Sequence, residues 1–376
     1  MADFKKLIPG ALYVGKPLPW PVYDEQGGFL LSQGHVIQSE YQLELLYKRG
    51  MFQKTLQSAR AHNSEERQEG RRVSPFAEYA PLLEDLEAGL HSVLVKDPRA
   101  SQKILILAKR IADMCASDPD ACIALVHIYS VEPTAYEQVL FYAILCCIIG
   151  QRLNFIEKRT ILLAAAALSA NIALLPHQDK LNNSKLALTE AQRAIINKHP
   201  LLSVAALQTA GVEQPRYLRI IEQHHEVFNG TGYPNGLNGD EILPEAKALA
   251  LAERYTAMVT RRAYRDRYCC DQARLEILQA YAEDPDQSVY NALFDGMGDF
   301  PPGSLVTIQT GETAVITRQR KGAPPFMQAV VSAKGNAYMG GLKRDSLEAE
   351  FTIVGVVVPK VLPTLNLDEL WSYNQA

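Results

Sequence analysis

The chain has 376 residues, 47% of them hydrophobic and 21% charged, with a formal charge of −4 and a pI near 6.1. That length exceeds one ordinary core and predicts two or three globular domains, while the charge balance gives no electrostatic case for nucleic acid as the main ligand. The apolar runs 141–149 and 161–175 are too short to span a bilayer, the N-terminus lacks a signal-type apolar run, and the six cysteines include no Cys-x-x-Cys, so buried thiols in a reducing cytoplasm are expected.

Residues 1–57 read as a small β-rich unit. The turn Tyr23-Asp24-Glu25-Gln26-Gly27-Gly28 separates extended segments 11–23 and 29–37, Ser39 with Gln42 forms a capping box, and Gly50 sits where a C-terminal glycine cap belongs. Residues 58–75 form a solvated linker, because Arg60, Arg67, Arg71 and Arg72 interleave with Glu65, Glu66 and Glu69 and large apolar residues are scarce.

From residue 76 to 298 helical periodicity dominates and predicts an all-α domain of about seven or eight helices. Tyr136, Val139, Leu140, Ala143, Ile144 and Cys147 trace one buried stripe. Leu162 to Ile172 reads as a central helix, and Thr189 with Gln192 caps the helix that leads to His199-Pro200. Beyond Pro301-Pro302, segments 304–309, 313–318, 327–332 and 351–358 are β-branched and alternating, which predicts a small β-barrel-like domain over 299–362 and a tail over 363–376. The fold class is therefore mostly α, flanked by a β-rich N-terminal unit and a β-barrel-like C-terminal domain.

The chemistry concentrates in His224-His225-Glu226-Val-Phe-Asn-Gly230-Thr-Gly232-Tyr233-Pro234-Asn-Gly236-Leu237-Asn-Gly239-Asp-Glu-Ile242, a pair of imidazoles followed by a glycine-rich loop. With Lys198-His199-Pro200 upstream and Arg262-Ala263-Tyr264-Arg265 downstream, some 140 residues resemble the HD-GYP family, the HD-type phosphohydrolases that degrade cyclic di-GMP. The resemblance implies a helical fold holding two or three metals, usually iron or manganese. A metal neutralises phosphodiester charge and supplies hydroxide near neutral pH. His199, His224 and His225 match the family's ligands, and Glu253 stands where the family has aspartate.

The namesake dyad falls on Ala170 and Asn171, the following lysine on Leu174, and two further ligand positions on Thr134 and Gln138. Alanine binds no metal, and a neutral carboxamide does not bridge two cations as a carboxylate does. His177 and Asp179 offer a weaker alternative register from beyond the helix end. His35, His62, His91 and His127 lack clustered partners and receive no role.

The expectation is a cytoplasmic, catalytically inactive HD-GYP-type signalling protein with no cofactor, or at most one weakly held iron, manganese or other divalent ion on His199, His224, His225 and Glu253. Its ligand would be cyclic di-GMP or a diguanylate cyclase domain, met by Gly232, Tyr233, Pro234, Arg262 and Arg265. A homodimer stays open, as do two alternatives: a divergent phosphodiesterase with a reduced metal site, and an adaptor that works through its β domains.

Overall fold

The computed structural model describes residues 73–131, 133–177, 189–261, 265–358 and 365–373, with 4–6, 12–14, 18, 22–23, 29–31, 36–37, 43, 46 and 52–54. The 23–28 turn, the Ser39 and Gly50 caps, most of the 58–75 linker, His35, His62, Asp179 and Arg262 lie outside the described residues. The chain divides into one unit of residues 1–80 with 361–376 and a second of residues 81–360.

In the first unit, β1 (Phe4–Lys6), β2 (Val22–Tyr23), β3 (Phe29–Leu31) and β4 (Phe52–Lys54) form an antiparallel sheet in the order β1-β4-β2-β3. Leu12, Leu18, Val22, Ile37 and Leu46 make its core. Buried Trp371 meets Phe76 edge-on, with ring centroids 4.9 Å apart.

Ten helices are described between residues 75 and 297: α1 (Pro75–Leu94), α2 (Ala100–Ser117), α3 (Pro119–Ile128), α4 (Ala135–Arg152), α5 (Glu157–Ser169), α6 (Glu190–Thr209), α7 (Pro215–Gln223), α8 (Pro244–Val259), α9 (Cys270–Ala280) and α10 (Ser288–Met297). Periodicity underestimates the number because α2 and α3 are separated only by Asp118, whose carboxylate caps Ala121 N at 3.0 Å ahead of Pro119. At the other end of the scale, α4 is buried from Glu137 to Gly150 on every side, not along one stripe. It forms the axis of the helical body together with α5, whose Leu162 to Ser169 run is also buried. The Thr189–Gln192 capping box forms at the start of α6 as its spacing predicts.

After α10 the chain builds β5 (Leu305–Ile308), β6 (Thr313–Arg320), β7 (Ala323–Val331), β8 (Ala337–Arg344) and β9 (Ile353–Val357). All pairings are antiparallel, in the order β8-β7-β6-β5-β9. The expected barrel is not closed. Successive hairpins stack the strands away from β5 while β9 returns to its opposite side, so β8 and β9 end as separate edges with no ladder between them among the described residues.

This sheet is fastened to the helices. Arg318 pairs with the N-cap carboxylate of Asp118, Gln319 N donates to Asp120 at 3.1 Å, and the Gln319 amide donates to Met297 O and Phe300 O at 2.9 and 2.7 Å. Gly303, at φ +86°, runs against α3 so closely that a β-carbon would lie 2.7 Å from Ala124 O. Gly303→Ala is expected to cost about 2–4 kcal/mol from backbone strain and overpacking, read as a lowered Tm. An unchanged Tm would show that this seam gives way freely.

Candidate metal and nucleotide site

Three imidazoles and one carboxylate converge where α6, α7 and α8 meet the turn that follows α5. The candidate ligand atoms of His199, His224 and His225 all lie within 4.8 Å of one another. His199 sits inside α6 ahead of Pro200, His224 caps the C-terminus of α7, and Glu253 projects from α8.

Local backbone decides how these rings face. His199 Nδ1 lies 2.6 Å from Ile196 O and His224 Nδ1 lies 2.5 Å from Ile221 O. Each Nδ1–H therefore donates to a carbonyl of its own helix, which fixes the tautomer and leaves Nε2 unprotonated. The two Nε2 atoms then face each other at 3.2 Å, lone pair toward lone pair. Glu253 Oε2 is 3.9 Å from Nε2 of both His224 and His225. Its other oxygen, Oε1, accepts from Asn171 Nδ2 at 2.5 Å.

Burial sets the charge state. Desolvation holds His199 at about 4, and desolvation with the neighbouring His199 holds His224 at about 3. His225 is pushed well below its ordinary value by desolvation and then by His224 and His199. Desolvation lifts Glu253 to about 8 against the opposing Asn171 hydrogen bond. Burial thus favours the uncharged forms of all four groups.

The glycine loop folds onto this centre. The Tyr233 ring stacks on His225 at 4.8 Å and 28°, and its N–H donates to His225 O at 3.1 Å. The tyrosine is half-buried against the imidazoles. Glu226 fastens the loop by accepting from Asn235 N and Leu237 N at 2.6 and 2.9 Å. Glu226→Gln should weaken that staple by about 1–2 kcal/mol, visible as faster amide exchange at Asn235 and Leu237; unaltered exchange there would assign the loop's order to other contacts.

The remaining candidates lie elsewhere. Arg265 donates to Ala257 O, Met258 O and Asp266 O at 2.8, 3.2 and 3.0 Å and packs over Tyr268, so its guanidinium closes the end of α8. His177 is exposed in a helical turn and does not join the cluster. Ala170 is wholly buried, and Gln138 donates to Pro133 O. Thr134 is the N-cap of α4 in a reciprocal capping box with Glu137, a signal the Thr-x-x-Glu spacing carries. His127 is a core residue bonded to Ile123 O and to Tyr255 OH.

Residues 111–289 match the family model described as HD domain. That segment of the helical unit is thus similar to an HD domain. Over 191 residues it is 25% identical to cyclic di-GMP phosphodiesterase PdeB of Borreliella burgdorferi, covering 50% of each chain. Over 270 residues it is 23% identical to a cyclic di-GMP phosphodiesterase of Pseudomonas aeruginosa, covering 71% of this chain and 65% of that one. The chain thus spans between half and just under two thirds of the length of these relatives. An HDG"Y"P protein from Bdellovibrio bacteriovorus shares the fold, with TM-score 0.53, 17% identity, and coverage of 78% of this chain and 99% of that one. Among the described residues no helix is long and apolar enough to cross a membrane.

Three imidazole nitrogens and a carboxylate oxygen form a donor set that fits one divalent metal ion. Glu253 Oε1 is engaged by the Asn171 carboxamide, and the neighbouring Ala170 is buried and offers no donor. A bound divalent ion would supply Lewis acidity. What the chain's own residues supply is tautomer control at His199 and His224 and a tyrosine ring stacked on His225.

Proposed function

We propose that this HD domain acts in cyclic di-GMP signalling by binding the dinucleotide without hydrolysing it. The observation that carries this reading is the Asn171–Glu253 hydrogen bond beside buried Ala170: the two positions that would hold and bridge a cation pair are closed to it. The homology to cyclic di-GMP phosphodiesterases supports the dinucleotide as ligand. The inward stacking of Tyr233 favours a small molecule at the histidine cluster over a diguanylate cyclase domain docking on the loop.

Calorimetry with cyclic di-GMP, run beside chromatography for linear product, tests the proposal. Saturable binding with no product is expected, and Tyr233→Ala should weaken that binding by about tenfold through loss of a stacking surface. Absence of any heat, or of any Tyr233 dependence, would remove the dinucleotide from this site.

The four donors favour one second reading, a phosphodiesterase with a reduced metal site. Its signature would be turnover that disappears both with a chelator and in His199→Ala.

A further inference from the structure

We infer that the outward face of α6 is where two copies of this chain meet, antiparallel across a two-fold axis at Leu201 and Leu202. The inference goes beyond dinucleotide binding and does not depend on it.

α6 (Glu190–Thr209) buries His199, Pro200, Ser203 and Leu207, the side that packs on α7 and turns His199 into the cluster. Its opposite side is apolar as well. Ala191, Ala194, Ile195, Leu201, Leu202 and Ala205 all face solvent, with Ile195, Leu201 and Leu202 at 49%, 44% and 49% exposure. Their spacing of i, i+3, i+4, i+10, i+11 and i+14 lays them along one stripe about 21 Å long. A surface helix ordinarily turns polar residues outward. Single exposed apolar side chains are commonplace, but a contiguous stripe of them marks a contact surface.

Charge and area select a second copy as the occupant. The stripe holds one charged residue, Lys198, and no acid. With the axis between Leu201 and Leu202, Lys198 of each copy lies opposite Ala205 of the other, whose small side chain leaves room for the lysine stem. Its ammonium then extends toward the end of the other α6 at Thr209, the negative end of that helix dipole. The two lysines stand about 10 Å apart along the axis, close to the screening length at physiological salt. On each copy the six apolar side chains and the lysine stem come to roughly 500 Å², so the pair closes on the order of 1,000 Å², the threshold of a biological interface. The leucines supply a central apolar anchor, and the alanines let the helices approach. Because the pairing is isologous, it stops at two.

Sedimentation velocity on the full chain without nucleotide, from about 1 to 100 μM, reads the equilibrium. A reversible dimer of micromolar affinity is expected for so small an interface. Leu202→Glu and Ile195→Glu, both on the solvent side, should each weaken it at least tenfold, roughly the loss of a half-exposed aliphatic contact on both copies, with unchanged circular dichroism and Tm. Position tests the axis. Under copper–phenanthroline oxidation, Leu202→Cys should cross-link to its counterpart beyond the level of the unaltered chain, whereas Ala191→Cys, about 30 Å from its own counterpart, should not. A chain monomeric at every concentration would overturn the inference and leave the face to another protein. A dimer unmoved by both glutamates would overturn the face, and cross-linking at 191 but not at 202 would overturn the axis. None of these outcomes depends on whether cyclic di-GMP binds.

Discussion

Replacing Glu245 with alanine is expected to lower the stability of the helical unit by about 3 kcal/mol, the low end of the cost of breaking a buried ion pair. Glu245 is fully buried at the start of α8 and receives two arginines. Arg159 of α5 donates at 2.6 and 3.0 Å, and Arg216 of α7 at 2.6 and 3.1 Å. Truncation strands both guanidiniums, but their side chains keep 30% and 43% of their exposure, so water recovers part of the loss. Burial alone would raise the Glu245 carboxyl; the two arginines outweigh it and hold it at about 2 against an ordinary 4.5. The sign follows directly. A depressed carboxylate contributes stability above its unfolded pKa and loses it as pH falls, here from about 4.5 toward 2. Chemical unfolding at pH 7 and across that acid window should show a stability slope that flattens in Glu245→Gln. An unchanged slope would place the acid sensitivity in other carboxylates. The clamp has a functional consequence, since α5 leads into Asn171, α7 ends at His224 and α8 carries Glu253. One buried acid ties together the three helices that bring Asn171, His224 and Glu253 to the histidine cluster.

How far the sequence foretold this arrangement depends on what kind of information each feature needs. Helix type was legible because α4 and α5 are long and apolar, and the C-terminal strands because β5, β6 and β9 are rich in β-branched residues and β7 ends in Val330-Val331. β8 escaped notice since Gly340-Gly341, Lys343 and Arg344 interrupt any alternation; its pairing with β7 forms it. Barrel closure was beyond reach, because it depends on whether two edge strands meet, which no local pattern encodes. The histidine cluster could be assembled from resemblance, and the structure brings His199, His224, His225 and Glu253 together. The contact between Asn171 and Glu253 joins residues 82 apart in sequence and is purely tertiary. Glu245 gave no signal either, since a lone acid in a helical stretch reads as a solvated face until two arginines from other helices are seen against it. Thr134 is the reverse case: Thr-x-x-Glu is a local capping signal, and the structure forms that cap at the start of α4.

The second large effect concerns Gly232. A β-carbon there would lie 2.4 Å from Val227 N, 2.5 Å from Glu226 Cα and 2.6 Å from His225 O. All three are backbone atoms of the turn that carries the histidine pair, so no side-chain rotation relieves the overlap. Gly232→Ala must lift the loop away from His225, which removes the Tyr233 stack and strains the Glu226 bonds to Asn235 and Leu237. A cost of about 1–3 kcal/mol is expected from overpacking alone, with cyclic di-GMP binding lost at least as fully as in Tyr233→Ala. Gly236 supplies the control. Its φ of +67° disfavours a side chain, but an added β-carbon comes no nearer than 3.3 Å to Gly230 O, so Gly236→Ala should cost about 1–2 kcal/mol and leave the His225 face covered. If both alanine variants bind the dinucleotide equally well, the loop is a bystander and Tyr233 is only packing. If Gly232→Ala alone loses it, the glycine serves to let the loop approach the imidazoles, and the Gly-Tyr-Pro sequence covers the site that binds the dinucleotide.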